Sequence, residues 1–313
     1  MSPNTNRRSV LKAAGALGVA GGIAGCLGGS SGESVPYGDE RINFYMSPSE
    51  PQDLMEAQYA PLQNRLESAT GVETNLNYAA GYSAVLQSLG SGSGDVAETG
   101  PFAAALGVNN DRCDIALQRY AYGSWEYSSV IATQEDSDIE SLEDLAGESV
   151  AFADRLSASG ALFPLFMLGE AGLDVGDLPT DVASAEFDPQ FSSHAEAFAA
   201  LERGQVAAAG VGQFITLNDD RELKDGFRYV ETYDGIPRAP VIVSPELSDE
   251  ERTELTNALI DAPEEMYYGE DGQQDTDDDL WFSEVREAGL EKYQPVIDVA
   301  TELGISAELL DSA

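Results

Sequence analysis

The sequence predicts an α/β fold of two doubly wound lobes joined by a two-segment hinge. Three observations lead there. Short β-branched runs alternate with helical patterns along most of the 313 residues, the pattern of open, mostly parallel sheets with helices on both faces. The alternation is interrupted at Ser128 to Thr133 (SSVIAT) and then begins afresh. A second extended run, Ala239 to Ser244, then leads back towards helical sequence. The expected boundaries are residues 41–127 with 241–313 for lobe 1 and 128–240 for lobe 2. A chain that leaves and re-enters a lobe through two extended segments makes a hinge, and the cleft between the lobes can close.

Each element follows from local chemistry. Arg41 to Met46 alternates as a strand. Leu54 to Thr70 places Leu62, Leu66 and Ala69 on one helix face, and Gly71 suits the left-handed residue that ends it. Val72 to Tyr78 reads as a strand, Ser83 to Leu89 as a helix, Asp95 to Glu98 as a strand and Phe102 to Leu106 as a helix opened by Thr99-Gly100-Pro101. Cys113 to Gln118 completes the first set. The second set is a short helix after Ile139, a strand from Ser149 to Ala153, a helix from Ala161, a strand near Val182–Phe187, a helix Ala195–Glu202 and a strand Val206–Val211. Phe227 to Thr232 and Ala239 to Ser244 are further strands, and Asp249–Tyr268 and Trp281–Leu290 are expected helices.

The first residues have another purpose. Arg7-Arg8 precedes an apolar run, Ala13 to Gly25, which is too short to span a bilayer. Residues 1–25 read as a twin-arginine signal. Ile23-Ala24-Gly25-Cys26 has the form of a lipoprotein cleavage site, with Cys26 as the lipidated residue and residues 26–40 as a Gly/Ser-rich tether. Export, with a lipid anchor on the outer face of the cell membrane, is the expectation. Cys113 is then left without a disulfide partner.

Charge bounds the partners. Lys and Arg total 16 against 56 Asp and Glu, a net charge of −40. Such a surface repels phosphates, so nucleic acid is not expected as a partner. Self-repulsion on that scale is relieved when salt shortens the screening length, and an acidic, lysine-poor surface over an ordinary core resembles proteins of halophilic archaea. Disorder is argued against by the 42% of hydrophobic residues in periodic runs. The acidic run Gly269 to Asp279 lacks the ligand spacing of a calcium loop and reads as solvated.

The candidate site begins at Ser157, Ala158, Ser159 and Gly160, a hydroxyl-bearing loop between a strand and a helix start. Unpaired N–H groups and the helix dipole favour an anion there, although a serine in that place also serves as a plain cap. His194, the sole histidine, follows one strand–helix step later and falls at the same carboxyl edge of the sheet. It is expected to donate to an anion, or else to lie in solvent at its helix start. Lobe 1 offers Ser47, Ser49, Tyr82 and Thr99, with Tyr127 at the crossover. These donors are neutral, and a cleft that binds through them needs little formal charge. Neither a cofactor nor a metal site is expected. A Ser–His couple from Ser157 or Ser159 with His194 leaves a secreted hydrolase open as an alternative, without a marked orienting acid. As loop hydroxyls, Ser157 and Ser159 are expected to be replaceable by alanine without harm to the fold.

Several pieces together carry a family resemblance: Asp95-Val-Ala-Glu-Thr-Gly-Pro101, Glu126 to Ile131, Asp136 to Gly147, Val150 to Pro164 and Ser193-His194-Ala195-Glu196. Across most of residues 41 to 300 the chain resembles the phosphonate/phosphate/phosphite-binding lipoproteins of ABC importers, proteins of periplasmic binding protein type II-like fold. The resemblance implies a monomer that captures a small oxyanion and hands it to permease subunits. It implies that Ser157, Ser159 and His194 hold the ligand from lobe 2, that Tyr82 and Tyr127 close over it and that Thr99 lies among the donors. Departures are Ala158, where the family loop often carries threonine, and Ala207, where it often carries aspartate. Gln213 and Arg238 stand near where aminophosphonate binders place acids, which favours a plain oxyanion or simple phosphonate. A receptor for a sulfonate or another small anion remains a further alternative.

Overall fold

The structure is a computed structural model and describes residues 37, 40–305 and 309–312. The signal segment, Cys26 and nearly all of the tether lie outside the described residues. Two sheets organise the chain.

The first sheet begins with β1 (Arg41–Met46), α1 (Gln52–Thr70), β2 (Glu73–Tyr78), α2 (Tyr82–Gly90), β3 (Val96–Glu98), α3 (Pro101–Asn109) and β4 (Asp114–Tyr120). Strand β1 pairs in parallel with β2 and β3. Buried Ile42, Phe44 and Met46 of β1 and Met55, Tyr59, Leu62 and Leu66 of α1 close one face. Gly71 ends α1 at φ 70°, a conformation that costs glycine little.

The chain then enters the second sheet with β5 (Glu126–Gln134), β6 (Ser149–Phe152), α4 (Phe163–Glu170), β7 (Asp188–Phe191), α5 (His194–Glu202), β8 (Ala208–Gly212) and β9 (Phe227–Pro237). Their order is β7-β6-β8-β5-β9. Strand β6 runs parallel to β7 and β8, and β5 runs antiparallel to β8 and β9.

Strand β10 (Pro240–Val243) returns to the first sheet, followed by α6 (Asp249–Ile260), β11 (Glu284–Glu287) and α7 (Gln294–Glu302). It slots between β3 and β4, antiparallel to both, giving the order β11-β4-β10-β3-β1-β2. The sheets are therefore mixed, and the two-lobed α/β architecture stands.

The crossings between the sheets are Ala121–Trp125 and Arg238–Ala239, and they are tied together. The Arg238 N–H donates to the Trp125 carbonyl at 2.9 Å and its Nε donates to the Ser124 carbonyl at 3.0 Å. One buried cluster also spans the lobes, joining Leu156, Ala158, Leu162 and Phe163 to Val85, Leu86, Phe102 and Ile242.

Three expected elements differ. Trp281–Leu290 is not a helix: Glu284–Glu287 forms β11 against β4, and the helix follows at Gln294. Val182–Phe187 is not a strand: Val182–Ser184 is a 3-10 turn and the strand is the more polar Asp188–Phe191. In both places an available sheet edge outweighs local pattern. The expected helix Asp249–Tyr268 ends at Ile260, with a separate 3-10 turn at Glu264–Tyr267.

Candidate functional site

The end of β6 and the start of α4 are joined by one π-helical turn, Ala158–Leu162, with Ser157 as its cap. The Ala161 and Leu162 N–H groups both reach back to the Ser157 carbonyl, at 3.2 and 3.0 Å. The wide turn folds because residue 160 is glycine. A Cβ there would stand 2.3 Å from the Ala153 Cβ and 2.7 Å from His194 Cε1.

His194 is the first residue of α5, whose cap is a reciprocal pair between Ser193 and Glu196. The capping box turns the imidazole inward, and His194 is 6% exposed. Its Nδ1 accepts from the Gly212 N–H at 3.1 Å. The neutral ring therefore carries its proton on Nε2, which lies 3.0 Å from Ser157 Oγ and donates to it. Burial lowers the His194 pKa to about 4, so the ring is uncharged near neutrality. The expectation of a direct anion donor, or of a solvated side chain, gives way to a neutral imidazole with both nitrogens engaged.

Ser157 Oγ accepts a second hydrogen bond, from the Gly160 N–H at 3.1 Å. Both lone pairs are then used, and the hydroxyl proton is its remaining hydrogen-bonding capacity. Ser157 and Ser159 are buried, at 2% and 1% exposure, so they are not the replaceable surface hydroxyls expected.

Ser157 and His194 line a cavity of about 220 Å3 between the lobes, large beside the roughly 10–15 Å3 that one water needs. Among the predicted site residues, Ser47, Tyr82, Thr99 and Tyr127 also line it, as does Ser49. Ser159 and Gly160 do not; they sit behind the wall. Ser159 Oγ has no partner of normal hydrogen-bond geometry, yet Ser159 lies near enough to the Tyr127 hydroxyl to favour its ionised form. Burial wins there and pushes the Tyr127 hydroxyl up to about 12. Burial, with Asp154 beside it, also raises the Tyr82 hydroxyl well above its usual value. Thr99 Oγ1 is buried without a partner, a state that costs free energy until a ligand or water meets it.

The sequence reading missed most of the charge in the cavity. Arg119, Arg221 and Arg238 line it together with Glu50 and Glu98, and of the arginines only Arg238 stands out in the sequence. Arg119 is 1% exposed. Its Nη1 meets Glu98 at 2.8 Å and the Tyr59 hydroxyl at 3.2 Å, and its Nε donates to the Ala239 carbonyl at 3.0 Å. Trp281 stacks on the guanidinium at 4.4 Å. The other Glu98 oxygen accepts from the Ser47 N–H at 2.6 Å, so Ser47 supports the ion pair as well as the wall. The cavity thus carries three arginines against two glutamates in a chain whose net charge is −40. Ser157 and Thr99 are formally neutral hydroxyl donors, whereas the cleft as a whole also carries guanidiniums.

The two-lobed α/β fold, with a polar, arginine-bearing cavity between the lobes, is of the periplasmic binding protein type II-like class. The comparisons agree on the family. Residues 44–293 match the family model for phosphonate periplasmic substrate-binding proteins of ABC transporters, and the chain belongs to that family. It is 31% identical over 195 residues to the phosphate-import protein PhnD of Mycolicibacterium smegmatis, a match covering 60% of each chain. It is 28% identical over 131 residues to the phosphonates-binding periplasmic protein of Escherichia coli, covering 40% of this chain and 39% of that one. The matched stretches thus span less than two thirds of either curated relative. In fold, it is similar to the binding component of an ABC phosphonate transporter from Pseudomonas aeruginosa, with TM-score 0.70, 22% identity and coverage of 84% and 86%. It is also similar to PhnD1 of Prochlorococcus marinus in complex with methylphosphonate, with TM-score 0.66, 14% identity and coverage of 85% and 98%.

Proposed function

We propose that this chain captures a small phosphorus oxyanion, a phosphonate or phosphate, in the cleft between its lobes and delivers it to the permease of an ABC importer. The observation that carries the reading is the Ser157 hydroxyl. Its oxygen is filled by Gly160 N–H and His194 Nε2–H, so it can only donate, and it lines the cavity. Beside it are the buried, unpartnered Thr99 hydroxyl and the Arg119, Arg221 and Arg238 guanidiniums. Free hydroxyl protons and guanidinium charge in one cavity suit an ionised oxygen. The family and the curated relatives support the same ligand class.

The hydrolase alternative is less well supported. A serine nucleophile needs a base that takes its proton, and His194 already carries a proton on the nitrogen facing Ser157, since Nδ1 accepts from Gly212. Capture without turnover fits this arrangement. For the termini, the proposal keeps twin-arginine export by residues 1–25 and a lipid anchor at Cys26 on the outer face of the membrane, with the protein acting as a monomer. The acidic surface suits a halophilic source.

Calorimetric titration with methylphosphonate, inorganic phosphate and methanesulfonate tests the reading. Saturable binding of a phosphorus anion at one site per chain, weakened about 10–100-fold in Ser157→Ala, is expected. Binding of the sulfonate alone, or continuous release of product from a phosphate ester, would refute it.

A further inference from the structure

We propose that the rim of the cleft beside the hinge is a second anion subsite, formed by Arg221 and Arg238 around Tyr122. It would take the carboxylate of a short carboxyalkylphosphonate whose phosphorus end sits at Ser157. This rests on the reading of the cleft as a phosphorus-oxyanion site and adds the class of substituent that the phosphorus carries.

Two of the cavity's three arginines have no ion-pair partner among the described residues. Arg119 is paired with Glu98, but among the described residues no carboxylate lies within ion-pair distance of Arg221 or Arg238. Arg221 has Asp219, Asp220 and Glu222 as close neighbours in sequence. Its guanidinium instead lies 3.6 Å from the centre of the Tyr122 ring. Arg238 faces the same ring at 5.4 Å and spends its Nε on the Ser124 carbonyl. Two like charges on one aromatic ring, with no carboxylate within ion-pair distance among the described residues, favour an anion from outside.

The backbone is strained at the same place. Tyr122 and Arg221 hold φ at 51° and 60°, a region that bulky side chains rarely adopt. They are two of five such non-glycine residues among those described, and they stack on each other. Such strain persists where the surroundings enforce it, and it collects at ligand sites.

One cavity joins the two regions. Tyr127 has its hydroxyl beside Ser159 and lines the cavity with Ser157. Arg238 lies 5.8 Å from the centre of its ring. Ser157, Tyr127, Arg221 and Arg238 line one cavity of about 220 Å3, so a ligand with a chain of a few carbons can touch both anion-receiving regions at once. A guanidinium fork matches a planar carboxylate. Glu50, on the lobe 1 side of the same cavity, accepts from Gln58 at 2.9 Å; it would instead suit an ammonium, which makes an aminophosphonate the competing ligand.

The test is calorimetric titration of the full chain, at one fixed salt concentration, with methylphosphonate, phosphonopropionate and aminoethylphosphonate. The same series is repeated on Arg221→Gln. Phosphonopropionate should bind the unaltered protein at least about tenfold tighter than methylphosphonate. In Arg221→Gln that ratio should fall to within about threefold. Because the readout is a ratio, a general loss of folding cannot imitate it. Equal affinities, tightest binding of aminoethylphosphonate, or a ratio that survives in Arg221→Gln would each overturn the subsite and leave the phosphorus-oxyanion reading intact. Failure of all three ligands to bind the unaltered protein would remove that reading, and the subsite with it.

Discussion

The wall that lobe 1 presents to the cleft carries the Arg119–Glu98 ion pair, roofed by Trp281. Below the rim, the wall of lobe 2 carries Ser157 and a neutral His194 at two helix starts. One wall works with charges that are already balanced, and the other with dipoles already aimed. The balanced charges cannot leave without exposing a partner, so that wall is costly to alter. The dipoles carry no net charge to desolvate, an arrangement that would suit the reversible capture proposed above. Lobe 1 should accordingly be more sensitive in stability and lobe 2 in binding.

The largest expected effect tests the charged wall. Arg119→Met strands the Glu98 carboxylate in the core and should cost about 3–5 kcal/mol of unfolding free energy. Arg119→Met with Glu98→Met should recover much of that loss, because the pair is then replaced by apolar side chains. Urea denaturation of the three proteins checks this, and equal stability of wild type and Arg119→Met would erase the contrast between the walls.

The next effect belongs to the neutral wall in acid. The His194 pKa is about 4 in the folded protein against about 6.5 in an unfolded chain. Between those values the unfolded state binds more protons, so this contribution is complete above about pH 6.5 and is lost as pH falls towards 4, a total of roughly 3 kcal/mol. The many carboxylates also titrate in acid, so the measurement is the difference in stability between wild type and His194→Gln across that range. A difference that does not change with pH would show that the ring is not held neutral.

Ser157→Ala sharpens the contrast. Removing the hydroxyl should weaken methylphosphonate binding by about 10–100-fold, the value of one hydrogen bond to a charged group. It also leaves Gly160 N–H and His194 Nε2–H without their acceptor, which should cost about 1–3 kcal/mol of stability. The smallest effect is optical. Trp281 lines the cavity and Trp125 lies in a hinge crossing against Tyr120 and Arg286. Ligand should change the tryptophan emission, and Trp281→Phe should remove most of that change.

The parts legible in the sequence were those decided by nearby residues. The strand β1, the helix α1 ended by Gly71, and the serine caps before α4 and α5 depend on alternation, a left-handed glycine and hydroxyl acceptors within a few positions. Ser157 and His194 could be placed together because consecutive strand–helix units put their loops at one sheet edge. Arg119 could not be read this way. In Ile115-Ala-Leu-Gln-Arg119 it looks like any strand arginine, and it becomes buried because β10, contributed by residues 240–243, slots between β3 and β4 and brings the Ala239 carbonyl to it. Strand β11 was hidden for a related reason. Glu284, Arg286 and Glu287 flank a single buried Val285, which is enough only because the edge of β4 is there to pair with it.

The saturated oxygen of Ser157 has a consequence for selectivity. A hydroxyl that already accepts from Gly160 and His194 gives its proton to a neighbour but can take none in return. A bare, fully ionised oxygen is welcome against it, whereas a P–OH group would find proton facing proton. For the proposed phosphorus ligand, a singly protonated form would have to turn its acidic hydrogen towards some other part of the cavity, so that the ligand's own ionisation would help set its orientation.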